Sequence, residues 1–302
     1  MQGIKQDLSK GVAFVRGNYV PIDEASIPIL DLGFTRSDAT YDVVHVWNGR
    51  FFRLNEHLDR FERSVAKVRM TLPVTRAALR EVLRECVRRS GLRDAYVEMI
   101  CTRGRLPPGS RDPRRAQNSF YAFAIPFVWI ADREKQKTGL ALRISAVPRI
   151  HPASVDPTAK NFHWFDFTRG LLDAFDKADE TAVLTDGRGN VVEGPGFNIF
   201  IVKDGRLATP AAGMLEGITR RTIIELARAA GREAEERSVG ADEVRRADEV
   251  FATSTAGGVM SITRVDGVPV GDGRPGTVTL DLHGRYWQAH ADPAWSEAVD
   301  DA

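Results

Sequence analysis

The chain has 302 residues, of which 43% are hydrophobic and 27% charged, and its formal net charge is +1. That length allows two modest domains or one large one, and that charge argues against the strongly basic face of a nucleic-acid-binding protein. Two cysteines provide neither a disulfide framework nor a metal site. The opening "MQGIKQDLSKGVAFVRG" lacks the apolar core of a secretory signal and no later run reaches membrane-spanning length, so a cytoplasmic protein without a membrane partner is expected.

Residues 11–31 alternate apolar and polar around Gly17-Asn18 and read as strands. In "TYDVVHVWNGRFFRL" two apolar runs flank Asn48-Gly49, a dipeptide that favours a tight hairpin. Asn55 precedes a helix in which Leu58, Phe61, Val65 and Val68 recur at helical spacing, and a second helix is predicted from Thr75 to Ser90, stopped by Gly91. Cys86 falls in that helix, and Cys101 in the first of two strands, "DAYVEMICTRG" and "SFYAFAIPFVWI". The loop between them, "RLPPGSRDPRRAQN", is too long for a tight hairpin and is a candidate lid.

The polar stretch "ADREKQKTG" reads as a boundary. It separates a smaller N-terminal domain (1–130), by a linker (131–139), from a larger C-terminal domain (140–302) that carries Lys160. Beyond it come the strand "LALRISAVPRI", a helix over about 167–178, the strands of "TAVLTD" and "VVEGPGFNIFIVKDGRLATP", and a helix starting near Gly217. "DEVFATSTAGGVMSITRVDG" gives two strands around a turn of small residues, and the acidic tail after Trp295 reads as loose. Strands and helices alternate without repeating βαβ units, which indicates an α+β protein in two domains.

Lysine is scarce, with eight residues against 34 arginines. Lys160 sits between Pro157 and an aromatic run (Phe162, Trp164, Phe165, Phe167). Desolvation there would favour the neutral amine; the alternative is a lysine snorkelling at a domain edge. A phosphate cradle could come from Arg60, from Gly217, Ile218 and Thr219 at a helix N-terminus, and from Ser254 and Thr255 in "TSTAGG". Taken singly, each of these also reads as a solvated arginine, an ordinary cap or a bulge.

In this order, "HLDR", "KNFHW", "EGPGFNIF", "EGITRR" and "TSTAGG" resemble the fold-type IV pyridoxal-phosphate transaminases, and the similarity spans about Gly11 to Trp295. The resemblance implies a two-domain fold with pyridoxal 5'-phosphate at the domain interface, and a homodimer. Lys160 would form the Schiff base, and Glu193 would keep the pyridine nitrogen protonated. Arg60, Gly217, Ile218, Thr219, Ser254 and Thr255 would hold the phosphate. "GFTRSDATYDVVHVWNGRFFRL" and "AYVEMICTRG" are most similar to the (R)-selective amine transaminases; branched-chain enzymes usually carry an arginine where this chain has Glu98. Tyr41, Val43, Tyr96, Glu98, Trp164 and Ala256 would line the substrate pocket. Arg36 stands where related amine transaminases often have histidine, and Arg105 or Arg111 of the lid could receive a carboxylate; pairing with nearby acids is the competing role for Arg36 and Arg111. The implied reaction moves an amino group from an (R)-amine or a D-amino acid to a keto acid such as pyruvate. The alternatives are a D-amino acid or branched-chain aminotransferase, or a lyase of the aminodeoxychorismate type.

Overall fold

The computed structural model describes residues 8–300. They fall into two compact units, one made of Met1–Val128, Ala159–Phe162 and His290–Ala302, the other of Trp129–Thr158 and His163–Ala289. The chain first passes from one unit to the other between Val128 and Trp129. Lys160, however, belongs to the first unit, because its segment is stitched to a strand of that unit by backbone hydrogen bonds.

In the first unit the elements are β1 (Val12–Val15), β2 (Asn18–Pro21), α1 (Leu32–Arg36), β3 (Ala39–Trp47), β4 (Arg50–Phe52), α2 (Leu54–Lys67), α3 (Arg76–Ser90), β5 (Ala95–Arg105) and β6 (Gln117–Pro126). A strand at Ser296–Ala298 completes an antiparallel sheet in the order Ser296–Ala298, β4, β3, β5, β6, β1, β2. Asn48 and Gly49, at φ 51° and 75°, make the expected hairpin between β3 and β4. Thr75 caps α3 by accepting from the Ala78 N–H, and Gly91 ends it at φ 64°. Strand alternation divides the sheet into two faces. Val44, Val46, Val97, Met99, Cys101, Ala122 and Ala124 form one core with Leu58, Phe61, Leu79 and Leu83 of α2 and α3. Tyr41, Val43, Tyr96 and Glu98 occupy the other face.

Through Asp300 the tail after Trp295 is ordered rather than loose, and its last two residues lie outside the described ones. Ser296–Ala298 pairs with β4, Glu297 receives both Arg80 and Arg84, and the Arg53 guanidinium lies 4.0 Å from the Trp295 ring centroid. Its acidic composition serves ion pairing with α3, which the sequence alone does not disclose.

The second unit contains α4 (Arg133–Thr138), β7 (Leu140–Pro148), α5 (Phe165–Asp176), β8 (Thr181–Thr185), β9 (Asn190–Val191), β10 (Glu193–Gly194), β11 (Phe197–Lys203), β12 (Arg206–Thr209), α6 (Ile218–Ala229), β13 (Ala234–Glu236), β14 (Val239–Gly240), α7 (Ala241–Arg245), β15 (Glu249–Ser254), β16 (Gly258–Val265), β17 (Val268–Pro269) and α8 (Thr277–Ala289). Its mixed sheet runs β13, β12, β11, β15, β16, β7, β8, β9, β14, with β10 beside β11 and β17 beside β16. The stretch expected as a linker is mostly α4, whose N-terminus Asp132 caps through the Lys135 N–H. No helix among the described residues is long and apolar enough to cross a membrane.

Candidate active site

In the first unit, β3 holds the lysine in place. The Tyr41 N–H donates to the Lys160 carbonyl at 3.1 Å, the Thr40 hydroxyl donates to the same oxygen, and the Lys160 N–H donates to Ser64 Oγ at 3.2 Å. Lys160 is half-buried, with Nζ 4.4 Å from the Tyr41 ring centroid, and Tyr41 stacks on Phe162 at 4.2 Å. Its aromatic contact is therefore one face-on tyrosine, a cation–π arrangement, and the sequence run contributes through Phe162.

Helical spacing puts His57, Arg60 and Ser64 on the sheet-facing side of α2. Arg60 grips Asp42 of β3 with two nitrogens, Nε to Oδ2 at 2.7 Å and Nη2 to Oδ1 at 2.8 Å. His57 Nδ1 and the Val43 N–H lie 2.8 Å from Asp42 Oδ1. Burial alone would raise the Asp42 pKa, but the Arg60 ion pair and the hydrogen bonds from Arg60 and His57 outweigh it and hold the carboxyl well below the usual range. Burial lowers His57, so its neutral ring donates from Nδ1 to the carboxylate. Sequence reasoning missed Asp42 and His57. The signals were a lone acid inside the apolar run of β3 and a histidine one helical turn before Arg60.

Glu98, opposite Val43 in the β3–β5 register, differs from Asp42. It is only 8% exposed and accepts the Tyr96 hydroxyl proton at 3.0 Å. Burial pushes its carboxyl up to about 7, against the hydrogen bond from Tyr96 and the charge of Lys160. Burial and the neighbouring Glu98 charge raise the Tyr96 phenol, which stays a donor.

In the second unit the Pro195-Gly196 turn, with Gly196 at φ 81°, folds β10 back on β11 and sets Glu193 opposite Asn198. Asn198 in turn lies opposite Thr253 of β15, so Glu193, Asn198 and Thr253 form one row on one face. Glu193 takes Arg149 Nε on Oε1 at 3.0 Å and the Leu215 N–H on Oε2 at 2.9 Å, while Asn198 Nδ2 donates to the Leu215 carbonyl at 2.9 Å. This fixes the loop that enters α6. Gly217 is the N-cap of α6 and offers no side-chain cap, and a Cβ there would lie 2.0 Å from Asn198 Oδ1. The first turn, with Ile218 and Thr219, thus begins uncapped. Thr253 Oγ1, on the same face as Asn198, is buried without a hydrogen-bond partner among the described residues.

Arg149, Asn198 and Thr253 also escaped the sequence reading, although Asn198 lay within "EGPGFNIF" and Thr253 opened "TSTAGG". Ser254, expected in the phosphate cradle, commits its hydroxyl to the turn: it donates to the Gly196 carbonyl at 2.8 Å and accepts from the Ala256 N–H at 3.1 Å. Thr255 is half-buried in that turn, and the buried Ala256 accepts from the Ile130 N–H. Trp164 belongs to the second unit and packs edge-on against Phe167 at 5.4 Å.

Arg36, Arg105 and Arg111 are all exposed and make no ion pair among the described residues. Pairing with nearby acids therefore does not account for Arg36 or Arg111. The arginine that does pair nearby is Arg103, which grips Asp38 with two nitrogens at 3.0 and 3.1 Å.

The family model for amino-transferase class IV matches residues 39–265. The chain is 33% identical to a D-alanine aminotransferase of Listeria monocytogenes, covering 94% of this chain and 98% of that protein. It is 34% identical to a branched-chain-amino-acid aminotransferase of Pseudomonas aeruginosa, covering 80% and 81%. The branched-chain amino acid aminotransferase of Thermobaculum terrenum, in its PLP-form, superposes with a TM-score of 0.86 at 25% identity, covering 96% of this chain and 98% of that one. The chain belongs to the class IV aminotransferases, which use pyridoxal phosphate, and has the fold-type IV architecture.

Proposed function

We propose that this aminotransferase moves an amino group from an (R)-amine or a D-amino acid to a keto acid such as pyruvate, in two half-reactions. The observation that carries the donor class is Glu98. A buried carboxyl, not a guanidinium, shares a sheet face with Tyr41, Val43 and Tyr96 near Lys160, a surface suited to donors without an L-carboxylate. The likeness to D-alanine aminotransferases and the unpaired Arg36, Arg105 and Arg111 support carboxylated D-donors within the same class.

The donor set fits pyridoxal phosphate: an amine for its aldehyde, a carboxylate for its ring nitrogen, and an uncapped helix N-terminus beside an orphaned buried hydroxyl for its phosphate. When bound, the cofactor supplies an electron sink for the donor's α-carbon. Lys160 attaches it through Nζ and, once released, carries the α-proton on that atom. Glu193, oriented by Arg149 and Leu215, accepts the ring N–H. The amides of Ile218 and Thr219, with Thr255, take the phosphate, and the Arg60 guanidinium assists through its charge.

Half-reactions on purified holo-protein test the donor class. Loss of the cofactor's visible band with (R)-1-phenylethylamine or D-alanine, but not with the (S)-amine or L-leucine, is the expected outcome; a response to L-leucine alone would refute it. Turnover without a keto acid would indicate a lyase instead. Lys160→Ala should abolish the Schiff-base absorbance.

We further propose a homodimer. Ile27, Ile29, Leu30 and Phe34 are 44%, 73%, 70% and 63% exposed. Ile27 and Phe34 also line an apolar cavity of about 390 Å³. Four exposed large apolar side chains within eight consecutive residues support a face covered by a second copy. Ile29→Asp combined with Leu30→Asp should give a monomer by light scattering, and an unchanged dimer would free this patch from the interface.

A further inference from the structure

We propose that Glu98, held by Tyr96, is a proton-switched discriminator between donors: neutral Glu98 admits a carboxylated donor, and ionised Glu98 repels it while leaving a carboxylate-free amine unaffected. This rests on the donor class proposed above.

The geometry comes first. Glu98 is on the sheet face that carries Tyr41, Val43 and Tyr96, and its carboxyl feels the charge of Lys160, whose Nζ sits over the Tyr41 ring. From its own strand it faces the Tyr96 hydroxyl, and from β6 only the apolar Phe123 is opposite. From β3, Tyr41 is its neighbour on the same face, and Asp42 adds negative charge from the far face. One register further, opposite Tyr96, His45 lies with Nε2 2.6 Å from His290 Nε2. Among the described residues no guanidinium is bonded to Glu98, which sets it apart from Asp42 and Glu193, and burial lifts its carboxyl where the Arg60 ion pair holds Asp42 down. A pocket carboxylate repels a second carboxylate most strongly where water is excluded.

The discrimination is read as a ratio, because protonation of the donor amine affects both donors alike. On holo-protein, half-reaction efficiencies for D-alanine and (R)-1-phenylethylamine are measured from pH 5.5 to 8.5. In the wild type the ratio of D-alanine to amine should be flat at low pH and fall about tenfold per unit above about 7. In Glu98→Gln it should stay flat. A second readout needs no turnover: calorimetric binding of propionate at pH 8, in two buffers of different ionisation enthalpy. Up to one proton should be taken up per propionate in the wild type and none in Glu98→Gln. A wild-type ratio that does not change with pH, or proton uptake that survives in Glu98→Gln, overturns the proposal. If the variant fails to fold, the wild-type pH profile and proton uptake still decide. If neither donor reacts, the donor class fails on its own, and the propionate experiment still tests Glu98.

Discussion

Asp42 in the first unit and Glu193 in the second are both buried, and each meets one arginine and one backbone N–H, yet they are built for different work. Asp42 is enclosed: Arg60 grips it with two nitrogens, and His57 and the Val43 amide take Oδ1 as well. Glu193 receives Arg149 on one oxygen and, on the other, the Leu215 N–H of the loop that leads into α6. An acid closed off by side chains acts as an anchor, whereas one tied to a loop places that loop. Glu98 completes the contrast, since without a guanidinium it is the one that burial brings close to neutrality.

The largest effect should come from Asp42→Ala, which leaves Arg60 charged and buried. Urea denaturation should show a loss of about 3–5 kcal/mol; a loss under about 1 kcal/mol would mean that Asp42 is not the anchor. Glu193→Gln should fold and retain cofactor but lose most turnover, with a stability change of about 1–2 kcal/mol. Wild-type turnover would remove Glu193 from the ring nitrogen. Next comes Gly217→Ala, whose Cβ collides with Asn198 Oδ1. It should cost about 1–3 kcal/mol and weaken cofactor binding by displacing the start of α6, as measured by cofactor titration. Ser254→Ala should be the mildest, at about 1 kcal/mol with cofactor affinity nearly unchanged, because its hydroxyl serves the turn. A large loss of affinity there would return Ser254 to the phosphate.

Elements carried by local chemistry were legible before the fold was known. The Asn48-Gly49 hairpin, the helix beginning at about Thr75 and the Gly91 stop are each written in adjacent residues. The α8 helix was not, since Gly284 and a weak apolar period leave little signal in "TVTLDLHGRYWQA". Lys160, Glu193 and the start of α6 stood out because glycines and a scarce residue type mark them. Asp42, Arg149 and Thr253 did not, because each matters only through a partner far along the chain: Asp42 through α2, Arg149 through β10 and Thr253 through β11. Pairing across a sheet leaves no mark on neighbouring positions. The same blindness made the tail after Trp295 look idle.

That tail also bears on the order of synthesis. The edge of β4 is covered only by Ser296–Ala298, and nearly all of the second unit is translated between those two strands. At about 5–20 residues per second, those intervening residues take roughly ten seconds to a minute to emerge. For that interval the sheet begun first keeps an open edge next to Phe51 and Phe52, an exposure that invites pairing with another nascent chain. The sheet begun second can close before it.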